Sequence, residues 1–203
     1  MLEQTLVDVN GHGPQALGDY ANTLMRLAKT LSNGDASSTA KEEAVRRFGE
    51  MLGFAASRPD NDIGAGPDVI WKDEQTKHGV AFEHKTEKDS PAEYNKHEVG
   101  QAHNHLQWLA DNETETKWDG LLIVGPAGLC KEEASPSDDV FVVETCTLAN
   151  RMTEFAAKVA DTRGHTIIER WGLLHEIGNL FEWQTAGWFK FLGQTRLKDL
   201  KPG

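Results

Sequence analysis

Apolar residues recur along this chain with two different periods, and the switches between them mark out the elements. Over 15–31, QALGDYANTLMRLAKTL, residues Leu17, Tyr20, Leu24, Leu27 and Leu31 fall three and four apart, the spacing of one helix face. The polar stretch SNGDASST over 32–39 breaks the pattern and offers Ser and Thr as caps for the next helix. Over 40–52, AKEEAVRRFGEML, the helical spacing returns, with Ala44, Val45, Phe48, Met51 and Leu52 on one side and Gly53 as a stop. The next segment, ASRPDNDIGAGP, is dense in turn formers and reads as a loop.

The period then shortens. DVIW (68–71) and GVAFEHKT (79–86) are β-like, and the polar KDEQTKH between them reads as the connection of a hairpin. Residues 95–110 are helical again, with Val99, Ala102, Leu106 and Leu109 as the apolar stripe. GLLIVGP (120–126) and VFVVET (140–145) read as buried strands, and ANRMTEFAAKVA (149–160) as a helix behind them. Residues 165–200, with Trp171, Trp183 and Trp188 among Phe181, Phe189 and Phe191, read as a helical tail that packs its aromatics on the domain. A hairpin followed by a helical crossover into further strands is the order of a mixed α/β domain.

Composition narrows the function classes. A chain of 203 residues suits one domain with an appendage. The net charge of −11 argues against a broad basic face that grips nucleic acid nonspecifically. It is compatible with a small basic groove, a partner that does the gripping, or an acidic site that recruits a metal ion. No apolar run is long enough to span a membrane. The start, MLEQTLVDVNGHG, lacks the basic flank and apolar stretch of a signal peptide. Cys130 and Cys146 have no CxxC partner, so no disulfide framework is expected, and the cytoplasm is the expected compartment.

Candidate chemistry sits in the two β-like runs. Alternation puts Ala81, Glu83 and Lys85 on one face and Val80, Phe82 and His84 on the other. Paired as a hairpin, the runs bring Asp68 to the same spot. Two carboxylates and a backbone carbonyl bind a hard cation such as Mg²⁺. A lysine beside them positions or deprotonates a water, or stabilises charge building on a phosphate. Together these are the parts for metal-assisted phosphodiester hydrolysis. Each residue also has a plainer role: Asp68 as a turn cap after Gly66-Pro67, Glu83 and Lys85 as the solvated face of an edge strand, Glu42 and Glu43 as first-turn acids of a helix. His84, His97, His103 and His105 invite a zinc site, but no HExxH and no nearby Cys accompanies them.

Pro67-Asp68 followed by Glu83-His84-Lys85 resembles the signature of the PD-(D/E)xK nucleases, and KEEAVRRFGEMLGF looks like the helix that precedes it in that family. The resemblance implies a restriction endonuclease-like αβββαβ core over 40–160, a mixed central sheet flanked by helices. An N-terminal helical extension (1–39) and the helical C-terminal tail (161–203) complete the expected domain plan. The core needs a third strand, expected near 79–86 or among those already assigned. The resemblance further implies that Asp68, Glu83, the carbonyl of His84 and a helical acid, Glu42 or its neighbour Glu43, hold Mg²⁺, with Mn²⁺ able to substitute. Lys85 would orient the attacking water. In RecB-like members a Gln is followed four residues later by Tyr; Gln101 and His105 hold that spacing here, with His in place of Tyr, as candidates for substrate contact. DNA is the implied substrate, in restriction, repair or antiphage defence, with targeting supplied by a protein partner or a homo-oligomer. The alternatives are a non-catalytic scaffold or nucleic-acid-binding module on the same fold, and a nuclease acting on RNA.

Overall fold

A computed structural model describes residues 2–180 and 192–200. In chain order the elements are α1 (Leu2–Gly11), α2 (Pro14–Ser32), α3 (Ser38–Met51), β1 (Ala55–Ser57), α4 (Pro59–Ile63), β2 (Val69–Asp73), β3 (His78–His84), β4 (Ala92–Tyr94), α5 (Lys96–Asn112), β5 (Lys117–Gly125), β6 (Gly128–Cys130), β7 (Val140–Glu144), α6 (Thr145–Asp161), α7 (Ile167–Leu180) and β8 (Thr195–Arg196). Six strands form one mixed sheet in the order β1-β2-β3-β5-β7-β8, and β4 and β6 form a small parallel pair. The first three strands are antiparallel neighbours, β3, β5 and β7 run parallel, and β8 closes the far edge antiparallel.

Strand alternation divides the core. Val69, Trp71, Val80, Phe82, Leu122 and Val124 face one side of the sheet and pack with the apolar stripes of α2, α3 and α6. Ile70, Ala81, Leu121 and Ile123 face the other side, where α5 lies. β5 is the middle of this arrangement, and its run from Gly120 to Gly125 is buried throughout, as a parallel strand covered on both faces must be. The five leucine and tyrosine positions read from the period of α2 are all buried.

Trp71 fixes α3 against the sheet. Its indole nitrogen donates to the Val45 carbonyl at 3.1 Å, and its ring stacks on Phe54 with centroids 5.6 Å apart. Gly49 makes room for it, since any β-carbon there would lie inside the indole. Ser37 caps α3 by accepting from the Ala40 N–H. A full capping box starts α5: Asn95 accepts from His97 and Glu98, and Glu98 accepts from the Asn95 N–H.

The structure departs from the sequence reading in several places. The third antiparallel strand is β1, which overlaps the start of the segment read as a loop and does not lie near 79–86. It is three half-buried residues long and too short to show a period. The strand carrying Glu83 ends at His84, so Lys85 and Thr86 lie just beyond it. The tail is not wholly helical: Thr195 and Arg196 pair with β7. Trp171 is 43 % exposed rather than packed on the domain. Phe181, Trp183, Trp188, Phe189 and Phe191 lie outside the described residues. No helix among the described residues is long and apolar enough to cross a membrane.

Candidate functional site

The hairpin register brings the two acids together. Val69 pairs with Phe82, so extending the register by one residue sets Asp68 opposite Glu83. The chain does not continue as a strand before Val69, because Gly66 and Pro67 turn it away. Gly66 has φ +93°, and a β-carbon there would lie 2.8 Å from the Trp108 ring, so both conformation and space require glycine. The backbone partner lost to β3 by this turn is replaced by a side chain: Asp68 Oδ2 accepts the His84 N–H at 2.6 Å. The N–H and C=O of one strand residue point to the same edge, so the His84 carbonyl faces the Asp68 side. On the other edge, the Lys85 N–H is taken by the Val124 carbonyl of β5 at 2.8 Å.

Glu83 is 2 % exposed, a buried acid that demands compensation. Lys85 Nζ donates to its Oε1 at 2.8 Å and to Gln101 Oε1 at 3.0 Å. His105 Nδ1 lies 3.0 Å from Oε2, but out of line for a hydrogen bond, so Oε2 is buried and receives none. Gln101, His105 and Trp108 succeed one another along a single stripe of α5. That stripe meets Lys85, Glu83 and the Gly66 turn in succession, so one helix face positions the ends of both strands. Behind Lys85 stands Gly125, where a β-carbon would meet the Tyr94 hydroxyl at 2.8 Å and the Lys85 carbonyl at 3.2 Å.

Asp68 and Lys85 are each held toward the ionised form. Burial works against the Asp68 carboxylate, but hydrogen bonds from His84 and the charges of His84 and Lys85 outweigh it and hold the carboxyl below its ordinary range. Burial likewise works against the Lys85 ammonium, and the hydrogen bond and charge of Glu83, with Asp68 and Glu87 beyond, outweigh it and raise its pKa.

The helical acids separate clearly. Glu42 is held by Arg58, which comes directly after β1, and by the Ser38 hydroxyl at 2.9 Å. Glu43 is more exposed and pairs with Arg46 on its own helix at 2.7 Å. Glu42 therefore faces the sheet side of α3, and its charged partner is Arg58, not the Asp68–Glu83 pair. The histidines do not gather: His103 accepts the Ser137 N–H at 3.1 Å, while His84 and His105 belong to the two acids. Among the described residues no three His, Cys, Asp or Glu side chains converge as a metal cage. What the site offers a hard cation is two carboxylates, one with an oxygen free of hydrogen bonds, and a carbonyl on the same edge. That donor set suits Mg²⁺, which keeps several of its own waters.

Arg58, Trp108, Tyr94 and Gly125 did not emerge from the sequence. Only Trp108 carried a signal, its position seven residues after Gln101 on the same helix face. No family model, curated protein or solved structure matches this chain.

Proposed function

We propose that this chain is a metal-dependent nuclease domain that hydrolyses phosphodiester bonds in DNA. The observation that carries the reading is Glu83: a fully buried carboxylate with an unbonded oxygen, set opposite Asp68 by the strand register and joined to Lys85. The element order α3-β1-β2-β3, then α5 and β5, supports a restriction endonuclease-like core. A divalent cation held by Asp68, Glu83 and the His84 carbonyl would supply Lewis acidity and an activated water. Lys85 acts as a fixed positive charge, because its raised pKa keeps it protonated at neutral pH. It orients water and stabilises the charge on the phosphoryl oxygens; it is not the general base. Gln101 holds Lys85 in place, and His105 flanks Glu83. The chain's negative charge favours targeting by a protein partner or a second copy over a broad basic face of its own.

One observation favours a non-catalytic scaffold instead: Lys85 donates to one oxygen of Glu83 and supplies a counter-charge without a metal, while the His105 ring occupies the space beside the other. Incubation with plasmid DNA in Mg²⁺, Mn²⁺ or EDTA separates the two. The nuclease reading expects cleavage that EDTA stops and that Lys85→Ala slows by about 100-fold or more. DNA left intact under every metal favours the scaffold, and cleavage of an RNA oligonucleotide alone moves the substrate class to RNA.

A further inference from the structure

A pocket of about 310 Å³ opens at the C-terminal ends of the three parallel strands, β3, β5 and β7. Thr86 of its wall is the residue directly after Lys85, and Lys41, Lys88, Ser90, Glu144 and Cys146 also line it. The crevice beyond the carboxyl ends of parallel strands is where open α/β sheets take ligands.

Lys41 is the unusual member. It lies on the core-facing stripe of α3 with Ala44, Val45 and Phe48, and is only 6 % exposed. Among the described residues its ammonium makes no hydrogen bond or ion pair, although it lines the pocket. Its stem is buried while its nitrogen opens into the pocket, so an incoming anion meets an ammonium that no carboxylate among the described residues holds. The first turn of α6 meets the same space. That helix runs for 17 residues, and its N-cap residue, Glu144, makes no side-chain cap bond. Its leading N–H groups therefore have no side-chain acceptor from the cap. The other charges are already engaged or in solvent. Lys88 pairs with Glu98 at 2.5 Å, and Glu144 is exposed, with Oε2 taking the Cys146 thiol at 3.4 Å.

We propose that this pocket binds a phosphate group. Lys41 is its counter-charge, and the first turn of α6 with the hydroxyls of Thr86 and Ser90 supplies hydrogen bonds. Its position next to Lys85 makes the occupant a phosphate of the strand being cleaved, close to the reacting one. This last step rests on the nuclease reading, whereas phosphate binding itself does not.

The test is titration of the whole chain with orthophosphate, monitored by phosphorus NMR, and with a short oligonucleotide carrying or lacking a terminal phosphate. Wild type binds orthophosphate. Lys41→Met, with its melting temperature checked, binds about tenfold more weakly or worse. Cys146→Asp, which adds a charge at the pocket lip without touching the core, also weakens binding. A terminal phosphate that tightens oligonucleotide binding only when Lys41 is present identifies the strand end as the source; equal weakening of both oligonucleotides by Lys41→Met identifies an internal phosphate. The proposal is overturned if wild type binds no phosphate, or if Lys41→Met binds it unchanged. Phosphate binding that survives in a wild type unable to cut DNA sinks the nuclease reading and leaves the pocket standing.

Discussion

Asp68 does two jobs that a mutation can pull apart. As an acceptor it closes the end of β3 by holding the His84 N–H, and as an acid it faces Glu83 across the hairpin. Removing the acceptor leaves a buried N–H unpaired, so Asp68→Ala is expected to destabilise the fold by about 1–3 kcal/mol at neutral pH. The folded carboxyl titrates below the ordinary aspartate value of 3.8. Its ionic contribution is therefore complete above that value and fades as pH falls through the folded pKa. Lys85 behaves in the opposite sense: its contribution is whole below 10.5 and is lost only in more alkaline solution. Urea melts of wild type and Asp68→Ala at pH 7 and pH 3 check this, with the gap expected to narrow at the lower pH. A gap that holds steady or widens in acid removes the charge argument. Much of this was legible in the sequence. The two-residue alternation put Glu83 and Lys85 on one face, and the Gly-Pro turn marked where Asp68 leaves the strand. The choice between Glu42 and Glu43 was not legible, because both lie in the first part of one helix. What separates them is Arg58, a residue brought in by a strand that showed no period of its own.

At the scale of elements, α3 and β2 are coupled through one contact. Trp71 reaches the Val45 carbonyl over Gly49, so the space left by a missing β-carbon sets the distance between helix and sheet. Gly49→Ala forces a methyl group into a fully buried indole and is expected to cost about 1–3 kcal/mol through overpacking, despite alanine's better helix propensity. Thermal melts measure it; a variant as stable as wild type or more so means that the helix can shift freely. The long helices were readable because their apolar period persists over several turns. β1, β4, β6 and β8 were not, since segments of two or three residues carry no period and are held as strands by their neighbours. The parallel step from β3 through α5 to β5 was readable because both strands are strongly apolar and the helix between them has a clear stripe.

For the molecule as a whole, the sheet order places Asp68, Glu83 and Lys85 at one end of the central strands. β3 lies between an antiparallel hairpin partner and a parallel neighbour, so its end receives Asp68 from one side and the β5 backbone from the other. α5 covers that end with Gln101, His105 and Trp108, and the Lys41 pocket opens at the same end of the sheet. The excess of acids over bases, 32 to 21, argues against a general surface affinity for nucleic acid, so the proposed chemistry depends on this local concentration of cationic and hydrogen-bonding groups. The central claim is that Asp68 and Glu83 form one cation site. It is tested most directly by anomalous diffraction from crystals soaked in Mn²⁺. The account predicts one strong peak between these carboxylates, on the edge faced by the His84 carbonyl, that vanishes in Glu83→Gln. A peak elsewhere that ignores this substitution, or no peak at Mn²⁺ concentrations that support cleavage, contradicts it.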